Sequence, residues 1–426
     1  MRPTRARYTV VGFALTLAII AYIQRVAISQ AAGPISEDLG LSKVQMGMIF
    51  GAFGLSYALF EIPMGALGDK LGVRRVLTQI VILWSAFTAL TGAAWSLTSL
   101  WVIRFLFGAG EAGAFPNLTK MLGTWLPQGE RVKAQAIMWA CTRWGGAVTP
   151  PLALLAISAF GWRWSFVVFG VVGVVWVLAF RSWFKDDPAD HKGVNAEELK
   201  LLEGARQLAG DSHGGSWLKL FVKPEVFLLV TQYFFFSFVW YFYVTWLPTY
   251  LREAWSLTTV QAAGYSVLPL LFGGFGSLIS GMLPVKIPRR LVALLGFAST
   301  AVLLFAVTKM ENVALAMICM AFASFFSDLT MPISWNTCVE IGRKYTATVA
   351  ATMNMFGNFS GFVAPVLGGF ILQRHAGDWN ALLYVMTGAA CISAACWLFL
   401  DPEKIARRNA SLDAADGQAG ATVGEA

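Results

Sequence analysis

Residues 104–117 read RFLFGAGEAGAFPN and lie inside an apolar run, 99–122, long enough to cross a bilayer as one helix. An ionisable side chain at the centre of such a span costs about 2.5–3.5 kcal/mol on insertion scales, so it is expected to face a cavity or a partner instead of lipid. Arg104 and Glu111 are seven positions apart, about 10 Å along one helix face. Gly108 and Gly110 between them let another helix or a ligand come close. The stretch therefore predicts a membrane helix with one wall turned inward.

The rest of the chain supports that setting. Of 426 residues, 57% are hydrophobic and 13% charged, where a soluble domain has about 25% charged residues; the mean hydropathy is +0.62. Apolar runs of about 20 residues recur at 8–31, 44–67, 76–96, 99–122, 133–158, 162–184, 225–250, 259–283, 290–308, 312–338, 344–372 and 379–400. The expected fold is an all-α integral membrane protein with twelve transmembrane helices. The first run follows Arg2, Arg5 and Arg7 as a signal peptide would, but it continues through Arg25 without a small-residue cleavage pattern and is expected to be retained. The five cysteines, Cys141, Cys319, Cys338, Cys391 and Cys396, all fall within these runs, which suggests buried small hydrophobes and neither a disulfide framework nor a metal site.

Cations set the orientation. With a cytoplasmic N-terminus, Lys70, Arg74, Arg75, Arg131, Lys133, Lys286, Arg289, Arg290, Arg343, Lys344, Arg407 and Arg408 fall on one side, and the opposite loops are poor in Lys and Arg. That bias predicts a multi-pass protein of the cell's inner membrane with both termini cytoplasmic. It accounts for much of the +8 net charge without nucleic acid, because the basic residues are spread over many short loops.

The longest polar interruption, 185–222, divides the runs six and six, giving bundles over 1–184 and 223–400 joined by a cytoplasmic linker. Within it, 194–208 is amphipathic and suits a surface helix; the Ala/Gly/Asp-rich tail 401–426 is expected to be disordered. The halves resemble one another. LSKVQMG from Leu41 returns as LTTVQAAG from Leu257, and GAVTP (146–150) returns as GFVAP (361–365). Two matches at nearly one offset imply pseudo-symmetric six-helix bundles around a midplane cavity.

Counting rise along the helices puts Arg25 and Arg104 in the outer third of the membrane, and Glu111 and Arg143 near its middle. Glu61 lies deeper, one turn from Tyr57 and beside Pro63. Surplus guanidinium in a water-accessible cavity suits a small anion, since Arg presents a rigid fork matched to carboxylate or phosphate. A carboxyl among such cations can take up and release a proton, the task suited to Glu111. The same residues also admit a structural reading, in which Arg104 with Glu111, or Glu111 with Arg143, hold helices in register. Glu61 can likewise brace an inner gate.

These residues resemble a known family. GALGDKLGVRR (65–75) is similar to the signature loop of the major facilitator superfamily, and RFLFGAGEAGAFPN resembles the fourth-span motif of its anion:cation symporter branch, with SWNTCVEIGRKYTATVAATMNMFGNFSG (334–361) adding to the likeness. The branch includes bacterial sugar-acid and phthalate transporters and the sialic-acid and vesicular glutamate carriers. The resemblance implies that Arg104 organises or anchors the substrate and that Glu111 couples transport to protons, with Glu61 as a second candidate. It further implies that Tyr57 contacts the substrate carboxylate, that Arg25, matching the family's first-span arginine, belongs to the substrate site, and that Trp335, Asn354 and Asn358 contribute hydrogen bonds to the substrate's polar body. Packing aromatics and interhelical hydrogen bonds are the plainer readings of Tyr57, Trp335, Asn354 and Asn358. Asp69, Arg74 and Arg75 of the loop bear on gating rather than recognition.

One departure matters. Sugar-acid symporters of this branch carry Asp-Arg in the first span, whereas this chain has Gln24-Arg25, and Gln does not titrate. The extra Arg143 favours a more highly charged cargo such as a dicarboxylate. The expected function is a monomeric, proton-coupled importer of a small organic anion by alternating access, without a cofactor. A potential-driven uniporter and an exporter of the same fold are the alternatives. A membrane enzyme is disfavoured, because His191, His213 and His375 lie in loops and no HExxH or GxSG setting occurs.

Overall fold

The computed structural model describes residues 3–207, 223–283, 287–342, 346–375, 377–405 and 407–408. Its helices are α1 (Ala6–Gln30), α2 (Ala32–Leu39), α3 (Lys43–Leu71), α4 (Val73–Thr91), α5 (Leu97–Glu111), α6 (Ala114–Trp125), α7 (Gln128–Trp183) and α8 (Ala196–Gln207), followed by α9 (Pro224–Thr245), α10 (Leu247–Ala254), α11 (Thr259–Met282), α12 (Arg289–Val307), α13 (Val313–Leu329), α14 (Met331–Gly342), α15 (Thr346–Arg374) and α16 (Trp379–Phe399). Ten helical stretches among the described residues are long and apolar enough to cross a membrane.

The longest of these lies in α7 and doubles back at Gly161, whose backbone is left-handed at φ 72°. Both arms lie against α1. Gly145 packs on Ile19 from one arm, and from the other Trp176 Nε1 donates to Thr16 Oγ1 at 3.0 Å. That hairpin supplies two crossings and the pair α5/α6 one more, so the described residues make twelve, arranged as two bundles of six.

The internal repeat has a physical basis. Both copies of the first motif start a helix with a capping box: the Ser42 and Thr258 hydroxyls accept from the amides of Gln45 and Gln261, whose side chains accept in turn from the cap amides at 2.8 and 3.1 Å. The helices so started, α3 and α11, pack across the divide on α15 and on the first arm of α7. Those partners carry the second motif, so one pseudo-symmetric exchange relates both contacts.

Two crossings expected to be continuous are broken. The run 99–122 is α5 and α6, separated after Glu111, and the run 312–338 is α13 and α14, separated at Thr330. Proline lacks an amide and its ring crowds the carbonyl four residues earlier. Pro116 acts in this way on Ala112, and Pro332 on Asp328, whose carbonyl instead accepts from Ser277 Oγ at 3.3 Å.

After the sixth crossing the chain folds back on the first bundle. Buried Glu198 of α8 accepts from the amides of Ala6 and Arg7, 3.2 Å each, and from Arg7 Nη1 at 3.0 Å. It caps α1, whose own N-cap residue makes no side-chain bond. Of the surface helix expected over 194–208, residues 196–207 are helical; 208–222 lie outside the described residues, as does most of the tail 401–426.

At the end opposite the chain termini the bundles close on each other through glycine. A Cβ on Gly54 would stand 2.4 Å from the carbonyl carbon of Gly361, and one on Gly47 would stand 2.4 Å from the Pro365 oxygen. Lys43 and Glu253 pair across the divide nearby. Gly54→Val is therefore expected to cost about 1–3 kcal/mol through overpacking and to lower the melting temperature of the purified protein. Gly264→Ala, where nothing lies within 4 Å of the added Cβ, should leave it unchanged or higher; equal melting of the two variants would contradict this packing.

Candidate functional site

Between the bundles lies a cavity of about 540 Å³ of empty space, part of it open to solvent. Aromatic residues dominate its wall: Tyr22 from α1, Tyr57 from α3, Phe115 from α6, Trp139 from α7, and Tyr233, Phe236, Trp240 and Tyr241 from α9. The polar groups reaching it are Arg25, Arg143, Ser237, Asn354 and Asn358. Apolar walls with a few convergent polar groups mark a small-molecule site, and here the converging charges are both cations.

Each cation is held from behind by an acid. Arg25 Nη2 donates to Glu111 Oε1 at 2.6 Å, and the guanidinium lies over the rings of Phe53, Tyr22 and Tyr57 at 4.5, 4.8 and 5.1 Å. Such stacking orients a guanidinium without using up its N–H donors. Arg143 Nη2 donates to Asp328 Oδ1, also at 2.6 Å, with its guanidinium 4.6 Å from the Trp240 ring. The carboxylates do not line the cavity; Glu111 is 0% and Asp328 1% exposed. Nε of both arginines is buried without a partner, and so is Glu111 Oε2. Neither pair uses all of its buried donors and acceptors within the protein.

Neither ion pair weighed from the sequence forms: Glu111 takes Arg25, and Arg143 takes Asp328. Seven residues of helix separate Arg104 from Glu111 too far for a direct bond, while α1 brings Arg25 alongside the break after α5. Arg104 itself is 1% exposed and does not line the cavity. Its guanidinium packs 4.2 Å from the Phe107 ring, with Nε and Nη1 unpartnered. The small face between Arg104 and Glu111 meets protein: a Cβ on Gly108 would stand 2.2 Å from Ser56 Oγ of α3.

Glu61 bridges the bundles. One carboxylate oxygen accepts a short bond from Asn354 Nδ2, and the other accepts from Asn358 Nδ2 at 3.4 Å. Asn358 Oδ1 in turn accepts from the Tyr241 hydroxyl at 3.0 Å. Trp335 stands behind the wall, its indole Nε1 donating to the Tyr233 hydroxyl at 3.3 Å and its ring 6.0 Å from Trp139.

In the signature loop, Arg74 bonds to the end of α7 and to the start of the linker. Its amide donates to Asp186 Oδ1 at 2.8 Å and its Nη2 to the Arg181 carbonyl at 2.6 Å. Arg75 is exposed, and the side chain of Asp69 lies outside the described residues. Gln24 has a structural setting: its Nε2 donates to the Phe169 carbonyl at 2.5 Å, and its Oε1 accepts from Thr88 at 3.3 Å.

The residue that sequence reasoning passed over is Asp328. It is an acid inside the apolar run of α13, and the rule that picks out Glu111 applies to it equally. The aromatic wall contributed by α9 was also missed, because an all-round apolar helix gives no signal of which face meets a cavity.

Comparison with known proteins agrees with this architecture. The family model described as Major Facilitator Superfamily matches residues 14–365. A probable sulfoacetate transporter of Cupriavidus necator is 35% identical over 413 residues, covering 93% of this chain and 94% of that protein. A probable galactarate/D-glucarate transporter of Escherichia coli K12 is 30% identical over 429 residues, covering 92% and 94%. In three dimensions the chain is similar to a bacterial homologue of the human lysosomal transporter Spinster, solved in an inward-facing and occupied conformation, with a TM-score of 0.74, 18% identity, and 92% of this chain and 96% of that one covered. A membrane-embedded double bundle, an internal repeat and a family match across most of its length place this chain in the major facilitator superfamily.

Proposed function

We propose that this chain is a proton-coupled importer of a small organic anion, a sugar acid or a dicarboxylate-like dianion, working as a monomer by alternating access in the cell's inner membrane. The observation that carries the reading is the pair of arginines, one lining the cavity from each of α1 and α7, each backed by a buried acid. An incoming anion competes with Glu111 and Asp328 for the guanidiniums. Tyr57, Asn354 and Asn358 supply hydrogen bonds to its body. Trp335, through Tyr233, orients the wall. The relatives' named cargoes, sulfoacetate and galactarate or D-glucarate, each carry two anionic groups, which fits two arginines better than one.

Glu111 is the coupling group in this reading. When the anion takes Arg25, Glu111 is left in a dry setting at the C-terminal end of α5, where the helix dipole also opposes a negative charge. Taking a proton removes that cost. Arg104 organises this region from behind the wall instead of touching the cargo. Glu61 braces the bundles through Asn354 and Asn358, and the Asp69, Arg74 and Arg75 loop contributes to gating. With the positive-inside bias placing the termini in the cytoplasm, the glycine-built closure faces outward.

Gln24 favours a second reading, a potential-driven uniporter, because its amide is fully engaged with Phe169 and Thr88 and supplies no proton site. Uptake of labelled sulfoacetate and D-glucarate into proteoliposomes separates the two. Proton coupling predicts accumulation driven by an acidic exterior with the potential clamped at zero; accumulation driven solely by an inside-positive potential would support the uniporter.

Two variants test the residue roles. Glu111→Gln is expected to lose accumulation driven by a pH gradient while keeping counterflow exchange of labelled anion, and full uphill transport in this variant would remove its coupling role. Arg143→Ala should raise KM about tenfold or more for a dianion, equivalent to about 1.4 kcal/mol, with a much smaller change for a monocarboxylate. An equal loss for both would count against Arg143 as the reader of the second charge.

A further inference from the structure

Asp328 occupies in the second half the place that Glu111 occupies in the first. The two are 217 residues apart, and the prolines that follow them, Pro116 and Pro332, are 216 apart, matching the offset of the Leu41 and Leu257 motifs. Each acid stands in the last turn of a helix that breaks immediately afterwards, α5 at Glu111 and α13 at Leu329. Each reaches, at 2.6 Å, an arginine, and both arginines line the same cavity. The difference lies in what they join. Arg25 and Glu111 belong to the same bundle, whereas Arg143 and Asp328 connect the first bundle to the second.

We infer that Asp328 is a second proton-carrying carboxylate, released from Arg143 when the second anionic group of a dianionic substrate takes that guanidinium. The inference rests on the proposed function of anion transport coupled to protons. Its physical ground is what surrounds Asp328 once Arg143 is engaged elsewhere. On α13 its side chain meets Ser324. From α11, Gly273 presses so closely that a Cβ there would stand 2.2 Å from Oδ2, and Ser277 spends its hydroxyl on the Asp328 carbonyl. From α9, Tyr243 is the titratable group that interacts with it, and from α14 Met331 Sδ lies 3.6 Å from Arg143 Nη2. None of these described neighbours is a cation. A carboxylate this buried does not remain charged without one, so it takes a proton from the compartment the cavity faces. The proton leaves to the other compartment when the substrate departs and Arg143 returns. One proton on Glu111 and one on Asp328 match the two charges of the cargo, and the cycle moves no net charge. The second acid thus restores the proton site that Gln24 does not provide.

The test is the proton-to-anion ratio in proteoliposomes, read from the anion gradient that balances an imposed pH difference, with sulfoacetate and D-glucarate as probes. Wild type should balance at two protons per dianion, with uptake insensitive to a potassium–valinomycin potential. Asp328→Asn should fall to one proton and become stimulated by an inside-positive potential, while Asp328→Glu should keep the ratio of two. A purely structural Asp328 would change the rate and leave the ratio alone, so an Asp328→Asn protein that still moves two protons overturns the inference. If that variant does not fold, the wild-type ratio decides: one proton per dianion overturns the inference and leaves the proposed function standing. A wild type that moves neither anion in response to a pH difference overturns both.

Discussion

A charge buried in an apolar interior has to be paired, and the architecture of this protein is arranged around two such pairs. Arg25 with Glu111 and Arg143 with Asp328 each bury both partners. Removing one member of such a pair costs about 3–5 kcal/mol, whereas keeping both brings little net stability over a well-packed apolar core. In the proposed function their value lies in exchangeability. A guanidinium held by one carboxylate, with other donors free, can pass to the anionic group of a ligand without ever being left bare.

The backbone makes that exchange possible. Proline breaks leave Glu111 and Asp328 at helix ends, where the carbonyl dipoles oppose negative charge and the acids depend more strongly on their arginines. Aromatic rings stack on the guanidiniums and fix their direction. The glycine contacts between α3 and α15 bring backbone against backbone at one end. An interface with so few side chains to rearrange can separate as a rigid unit, which is what rocking of two bundles requires. Glu61 with its two asparagines and Arg143 with Asp328 are polar links between bundles, and the second of these is the one proposed to respond to occupancy of the cavity.

Much of this is legible in the residues. The apolar runs give the crossings because a helix in lipid must be both long enough and apolar enough, and the repeat motifs give the symmetry because they are capping boxes and packing glycines. Cost of burial likewise picks out Arg25, Glu111 and Arg143. What did not follow was who pairs with whom. Arg104 and Glu111 share a face of one run, but the partner of Glu111 comes from another helix, and pairing across helices depends on packing that no single run records. The helix breaks escaped notice for a related reason: hydropathy is blind to a missing amide, so Pro116 and Pro332 leave the apolar signal intact while ending the hydrogen-bond ladder. Asp328 was within reach of the burial argument and needed the repeat extended by one more motif.

In the proposed cycle the anion replaces both carboxylates at the two arginines. A structure of the protein bound to sulfoacetate or D-glucarate tests it most directly. The two anionic groups are expected at hydrogen-bonding distance, about 2.7–2.9 Å, from the guanidiniums of Arg25 and Arg143, with Glu111 and Asp328 withdrawn from them. An anion bound elsewhere in the cavity, with both ion pairs intact, would contradict it.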